Sequence, residues 1–276
     1  MLALVAVQGA LAAPPAPDFT ISPAVPQIDE AVTFTSAATD PDGDAVAVEW
    51  DFQDDGTFDA VGDSAQHSYS TSGDKTVRMR VTDVNSEVAE RTKTLRVNAP
   101  PRAAISFSPE MPTVGDQLDF DGSGSGDRDG SIAAYEWDLD DDGQFDHVTG
   151  PITTRSFDTA GDKTVGLRVT DSDGATALAT RRVLVNAPPT ADFAFGPGLP
   201  EVGQQVRFDG ASSSDPDDTI EGYDWDLDND GTFEAQGPTV LHAFASAGEK
   251  TVRLLVTDAY GRTDTKTQTL RRVKPR

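Results

Sequence analysis

"GDKTVRMRVTD" (73–83) alternates apolar and polar residues. Val77, Met79 and Val81 fall on one face, and Arg78, Arg80 and Thr82 on the other. A period of two marks a strand with one buried and one wet face. The phrase returns as "GDKTVGLRVTD" (161–171) and "GEKTVRLLVTD" (248–258), where Val165, Leu167, Val169 and Val252, Leu254, Val256 take the apolar places. The three tryptophans recur in step: Trp50, Trp137 and Trp225 are spaced by 137−50=87 and 225−137=88. Proline pairs at Pro14-Pro15, Pro100-Pro101 and Pro188-Pro189 open each unit. A repeat this long, punctuated alike at both ends, reads as three tandem domains with separate cores.

The rest of each unit is also strand-like. Val48-Trp50-Phe52, Tyr135-Trp137-Leu139 and Tyr223-Trp225-Leu227 alternate, as do Val32-Phe34, Leu118-Phe120 and Val206-Phe208. Each unit begins with Phe19-Ile21, Ile105-Phe107 or Phe193-Phe195. Clusters of Gly, Pro, Asp and Ser separate these runs, and no stretch has a helical period. About seven short strands per unit predict an all-β chain of two-sheet sandwiches. The expected boundaries are 14–99, 100–187 and 188–276. The links "VNAPPRAAISF" (97–107) and "VNAPPTADFAF" (185–195) are short and proline-stiffened, so a semi-rigid, monomeric rod is expected.

Formal net charge is −25, from 47 acids against 22 bases. Such a surface repels nucleic acid and anionic lipid and attracts cations, calcium above all, which prefers oxygen ligands. A halophile's acidic surface is the rival explanation. With no cysteine there is neither a disulfide nor a thiolate. Residues 2–13 are small and apolar, with "ALA" at 10–12, although no Lys or Arg precedes them. They read as a signal-peptide remnant over 1–13, too short to span a bilayer, and point to secretion or the cell surface.

Acids concentrate after each tryptophan, in "EWDFQDDGTFD" (49–59), "EWDLDDDGQFD" (136–146) and "DWDLDNDGTFE" (224–234). Asp138, Asp140, Asp142, Gly143, Phe145 and Asp146 occupy the first, third, fifth, sixth, eighth and ninth places of an EF-hand-type calcium loop; Asp226, Asp228, Asp230, Gly231, Phe233 and Glu234 do the same. Alternate placement lets three carboxylates converge on one ion, and the apolar eighth residue would pin the loop to the core. The twelfth place, which should carry a bidentate Glu, holds Thr149 and Gly237. Any calcium would be held weakly, at ~10⁻⁴–10⁻³ M. The first loop has Gln53 at the third place and keeps only Asp51, Asp55 and Asp59, a weaker set. A polar Asp-Gly turn without metal is the competing reading. A second acid cluster precedes each Trp: Asp40-Asp42-Asp44, Asp127-Asp129 and Asp215-Asp217-Asp218.

The units resemble PKD (polycystic kidney disease) domains. The family phrase Tyr-x-Trp-Asp-Phe-Gly-Asp-Gly is matched by "YEWDLDDDG" (135–143), "YDWDLDNDG" (223–231) and, less closely, "VEWDFQDDG" (48–56). "GDKTVGLRVTDSDG" and "GEKTVRLLVTDAYG" match a second family phrase. The first unit departs from it with Val48 in place of Tyr and "DVNSE" (83–87) in place of a Gly turn. The resemblance implies immunoglobulin-like sandwiches and extracellular spacing, adhesion or ligand binding, often beside proteases, collagenases or chitinases. It implies no catalysis by the domain itself. The residues agree: no nucleophile motif appears. His67 and His242 share their position with Arg155, which reads as a solvent-facing strand site. Lys75, Lys163 and Lys250 read as surface charges at strand starts. The expected function is therefore a non-catalytic spacer or adhesion rod that meets an extracellular protein or polysaccharide. The alternative is an accessory binding region of a larger extracellular enzyme, for which exposed aromatics would be needed; Tyr260 is the clearest candidate.

Overall fold

A computed structural model describes residues 13–43, 47–145 and 150–275. Among the described residues every regular element is a β-strand. The expected signal-peptide remnant lies almost wholly outside them, as do Asp44, Asp146, His147 and Thr149.

In the first module, β1 (Phe19–Ser22), β2 (Val32–Ser36) and β5 (Ser64–His67) form a sheet in the order β1-β2-β5. The second sheet is β4-β3-β6-β7, built from β3 (Ala47–Asp51), β4 (Ala60–Val61), β6 (Gly73–Thr82) and β7 (Val88–Val97). All these pairings are antiparallel. Alternation then decides what is buried. Val77, Met79 and Val81 are fully buried with Trp50, and Phe19, Val32 and Phe34 meet them from the other sheet. Phe19 stands edge-on to Trp50 with ring centroids 5.3 Å apart. The indole Nε1–H donates to the Gly62 carbonyl (2.8 Å), so the one polar atom of the largest core side chain is satisfied.

The third module repeats this plan. β14 (Ala194–Gly196), β15 (Gln205–Asp209) and β18 (Thr239–Ala243) make one sheet. The other runs β17-β16-β19-β20, from β16 (Ile220–Asp226), β17 (Ala235–Gln236), β19 (Gly248–Asp258) and β20 (Thr263–Val273). Trp225 is fully buried among Phe193, Phe208 and Leu254 and donates to the Gly237 carbonyl (2.9 Å). In the second module β8 (Ser106–Ser108), β9 (Gln117–Asp121) and β11 (Ile152–Ser156) form one sheet, and β10 (Ile132–Asp138), β12 (Gly161–Asp171) and β13 (Thr176–Val185) the other. Residues 147–148, which the repeat aligns in sequence with β4, lie outside the described residues. The chain is thus three tandem immunoglobulin-like sandwiches. By packing it falls into two compact units. One holds the first module with 122–137 and 167–179. The other holds 105–121, 138–166 and 180–276.

A short parallel bridge closes each module. The residue after the last strand pairs with the segment after a proline turn: Gln27 with Asn98, Thr113 with Asn186, and Glu201 with Lys274. Asn98 N–H donates to Pro26 O (2.8 Å), Asn186 to Pro112 O (2.9 Å) and Lys274 to Pro200 O (2.9 Å). These bridges fix the backbone at the point where one module ends.

Candidate metal sites and module junctions

The aspartate loops are turns organised by their own leading carboxylate. Asp51, Asp138 and Asp226 are at most 5% exposed. Asp138 accepts from Asp141 N (2.8 Å) and Gly143 N (3.0 Å), Asp226 from Asp230 N (3.1 Å) and Gly231 N (3.0 Å), and Asp51 from Gly56 N (2.8 Å). The turn needs two left-handed residues, which sequence supplies as Asp54, Asp141 or Asn229 (φ 56–60°) followed by Gly56, Gly143 or Gly231. This is why Asp, Asn and Gly dominate the loop before any ion is considered.

Even so, the later acids converge. The carboxylates of Asp226, Asp228, Asp230 and Glu234 each place an oxygen within 4.8 Å of all the others, and Asp138, Asp140 and Asp142 do the same. Among the described residues Asp51, Asp55 and Asp59 form no such group, and Asp146 lies outside them. The eighth residue does not anchor the third loop as expected. Phe233 is 36% exposed and lies under the Arg253 guanidinium, 5.2 Å from its carbon. Arg253 also reaches Asp226 Oδ2 (3.2 Å), so that carboxylate already has a cation. In the second module Gly166 takes the arginine's place, and Phe145 packs against it.

A second cluster forms where one module meets the next. Asn98 Nδ2 donates to Asp171 Oδ2 (2.8 Å), and Asn186 Nδ2 donates to Asp258 Oδ2 (2.7 Å). All four residues are at most 4% exposed. The next peptide N–H also docks on an acid: Ala99 on Asp129 (3.3 Å) and Ala187 on Asp217 (3.0 Å). Arg96 pairs with Asp173 (2.9 Å) and donates to the Asp129 carbonyl (2.6 Å). Yet Asn98 Oδ1, Asn186 Oδ1, Asp127 Oδ2 and Asp215 Oδ2 are buried without any partner. Buried unpartnered oxygens are costly; Asp40 Oδ2, the first module's counterpart of Asp127 and Asp215, is orphaned as well, and among the described residues the junction acids are not in the groups of three or more carboxylates that converge within 4.8 Å. The Asp217 carboxyl is held above its usual range, chiefly by burial, although Ala187 N–H opposes this; the charges of Asp215 and Asp218 add to the rise.

The PKD domain family profile matches residues 12–99, 98–185 and 186–273. The chain belongs to the PKD domain family. It is 35% identical over 102 residues to a microbial collagenase of Vibrio alginolyticus, covering 37% of this chain and 12% of that protein. It is 30% identical over 230 residues to the dyslexia-associated protein KIAA0319-like protein of Mus musculus, covering 76% of this chain and 22% of that one. Among solved structures, the PKD1 domain of Vibrio anguillarum Epp shares 31% identity and covers 33% of this chain and 99% of its own, with a TM-score of 0.28. The chain therefore spans a small part of the curated relatives it matches.

Where the first PKD module departs from the family phrase, the structure shows the compensation. Val48 is buried in the core, 3% exposed. Ser86 takes the left-handed conformation (φ 68°) that Gly174 and Gly261 adopt in the other modules. The histidine position differs from expectation. His67 and His242 are half-buried, each edge-on to the aromatic two residues later, with centroids 4.7 Å from Tyr69 and Phe244. His67 also stacks on Phe52 at 4.6 Å, and burial lowers its pKa. Two residues from a core aromatic is the same strand face, which is why the site is not solvent-facing. Lys75, Lys163 and Lys250 do start strands, each donating to a hydroxyl of the preceding turn (Thr71, Thr159, Ser246) at 2.8–2.9 Å. The junction asparagines had a visible signal, the repeated "VNAPP", but nothing local to say what they touch.

Proposed function

We propose that the chain is a non-catalytic extracellular spacer whose PKD modules are stiffened at their junctions by calcium. The observation that carries this reading is the repeated pair of orphaned oxygens, Asn98 Oδ1 with Asp127 Oδ2 and Asn186 Oδ1 with Asp215 Oδ2. An ion there would neutralise carboxylates from one module while accepting an amide oxygen from the module before. That is a direct way to couple neighbours. Similarity to a collagenase, whose substrate lies outside cells, supports the extracellular setting. No helix among the described residues is long and apolar enough to cross a membrane. The loops at 138–146 and 226–234 are the second choice for calcium, because their leading carboxylates already accept loop N–H groups.

For a Kd of ~10⁻⁴ M, 1 mM calcium would stabilise each site by about 1.4 kcal/mol. Calorimetry with and without calcium tests this. The Asp127→Asn plus Asp215→Asn variant should lose most of the calcium-induced rise in melting temperature, whereas Asp140→Ala plus Asp228→Ala should keep it. Magnesium should substitute poorly because it demands tighter octahedral geometry. Equal effects of both ions, unchanged in the junction variant, would reduce the phenomenon to charge screening.

A second reading makes the chain the accessory region of a larger extracellular enzyme, binding fibrous protein or polysaccharide. The support is the similarity to collagenases and the partly exposed rings of Tyr260 and Phe233. Co-sedimentation with insoluble collagen or chitin, lost in Tyr260→Ala, would favour it.

A further inference from the structure

We infer that the two module junctions answer ionic strength differently: the first is an electrostatic hinge that salt loosens, and the second is an apolar clamp that salt leaves closed. Each junction lies within one of the two compact units. Both are built on one frame. Asp171 and Asp258 cap equivalent turns through Oδ1, accepting from Asp173 N and Ala175 N, and from Tyr260 N and Arg262 N, at 2.7–3.0 Å. Through Oδ2 they accept from Asn98 and Asn186. What differs is the pair of side chains beside that frame. The residue two before each asparagine is Arg96 in the first junction and Leu184 in the second. The residue two after each capping aspartate is Asp173 in the first and Tyr260 in the second. An oppositely charged pair at one junction is thus exchanged, at both positions, for two large apolar side chains at the other.

In the first junction Arg96 holds Asp173 at 2.9 Å and donates to the Asp129 carbonyl at 2.6 Å. The Arg96 side chain is 40% exposed and that of Asp173 21%, so mobile ions reach the pair. Its attraction falls as the Debye length shrinks from ~30 Å at 0.01 M to ~3 Å at 1 M. In the second junction Met111, Pro112, Leu184 and Tyr260 line an apolar cavity of about 170 Å³. Arg262 also borders it and donates to the Met111 carbonyl (2.7 Å), a neutral acceptor. Apolar burial offers salt no charge to screen. The acids that dock this junction, Asp217 and Asp258, have no arginine at the place of Arg96, so screening removes no equivalent attraction. In rising salt the first module is released from the second, while the second and third stay coupled. The device needs no bound ion, and it goes beyond the calcium reading, in which the two junctions are alike.

Amide hydrogen exchange by NMR tests the proposal on the full chain in EDTA, at constant pH and from about 0.01 to about 1 M sodium chloride. The probes are Ala99 N–H and Ala187 N–H, which dock on the equivalent acids Asp129 and Asp217. Any direct effect of salt on the exchange chemistry is therefore shared between them. Over this range Ala99 exchange should quicken about two- to fivefold more than Ala187 exchange, as for the loss of an exposed ion pair. Arg96→Leu with Asp173→Tyr should make Ala99 as insensitive to salt as Ala187, whereas Arg96→Lys should keep the response. Leu184→Arg with Tyr260→Asp should transfer the sensitivity to Ala187. Circular dichroism checks that each variant is folded; Arg96→Gln, which keeps donors and removes the charge, reads the same loss should the first double variant not fold. Equal responses of Ala99 and Ala187 in the wild type would overturn the proposal, as would a salt response at Ala99 that survives removal of the Arg96 charge.

Discussion

Asn186→Ala removes one hydrogen bond and strands its partner. Asn186 is 4% exposed and Asp258 2%, so water does not replace the lost donor at 2.7 Å. A hydrogen bond to a charged group is worth ~1.5–3 kcal/mol net, and orphaning a buried acceptor moves the cost toward the upper end. About 2 kcal/mol is expected. For a module of some 88 residues (225−137 gives the repeat length), each kcal/mol moves the melting temperature by about 4–8 °C, so the third module's transition should fall by about 8–16 °C. The bond ties the bridge at Thr113–Asn186 to the turn after β19, so its loss should also separate the transitions of neighbouring modules. Calorimetry on the full chain in EDTA reads both effects. Asp83→Asn is the internal control: its Oδ2 has no partner to lose, and at dilute concentration its transition should shift by less than about 0.5 kcal/mol. If Asn186→Ala is silent, or Asp83→Asn costs as much, the junction bonds do not couple the modules and the reasoning fails.

Other measurements reach different parts of the molecule. Trp225→Ala empties the centre of the third core and should cost ~3–5 kcal/mol, read as loss of that module's unfolding transition with the first module's unchanged. Tyr69 donates its hydroxyl to the Phe52 carbonyl (3.1 Å), and burial pushes its pKa up to about 12 from 10.0. Its neutral form therefore stabilises the fold fully below pH 10, and that contribution disappears as pH rises toward about 12. Ultraviolet titration should show one tyrosine ionising late, and Tyr69→Phe should remove the late step. Because Asp217 is held above the usual carboxylate range, its protonated form favours the calcium-free fold below pH 3.8, an advantage lost as pH rises through the raised value. If the proposed calcium sits at that junction, protons compete with it there at a higher pH than at an ordinary carboxylate. Isothermal titration should show affinity falling as pH is lowered and proton release on binding, both reduced in Asp217→Asn. Asp228→Ala should leave stability within about 0.5 kcal/mol without calcium, since Asp226 and its N–H partners hold the loop.

The strand pattern was decided locally. Alternation in "GDKTVRMRVTD" and its repeats specifies which face is wet, because successive side chains of a strand must point to opposite sides. The three-fold spacing of Trp and the proline pairs then specifies three sandwiches, and the Asp-Gly loops announce their turn because few other residues accept a left-handed backbone. Even the departures of the first module obey this local logic: Ser86 adopts the turn that Gly174 and Gly261 make. What the sequence could not announce is where side chains meet across long separations. Asn98 and Asp171 are 73 residues apart, and Asn186 and Asp258 are 72 apart. Read locally, the first members of these pairs sit in a linker and the second in a turn, and neither position hints at a partner. The same holds for Phe233, whose spacing suggested an anchor but which β19 meets with Arg253 rather than with an apolar surface. Only the folded chain decides such contacts, because they depend on which strand ends the sheets bring together, and hydrophobic periodicity fixes the face of a side chain without fixing its neighbour.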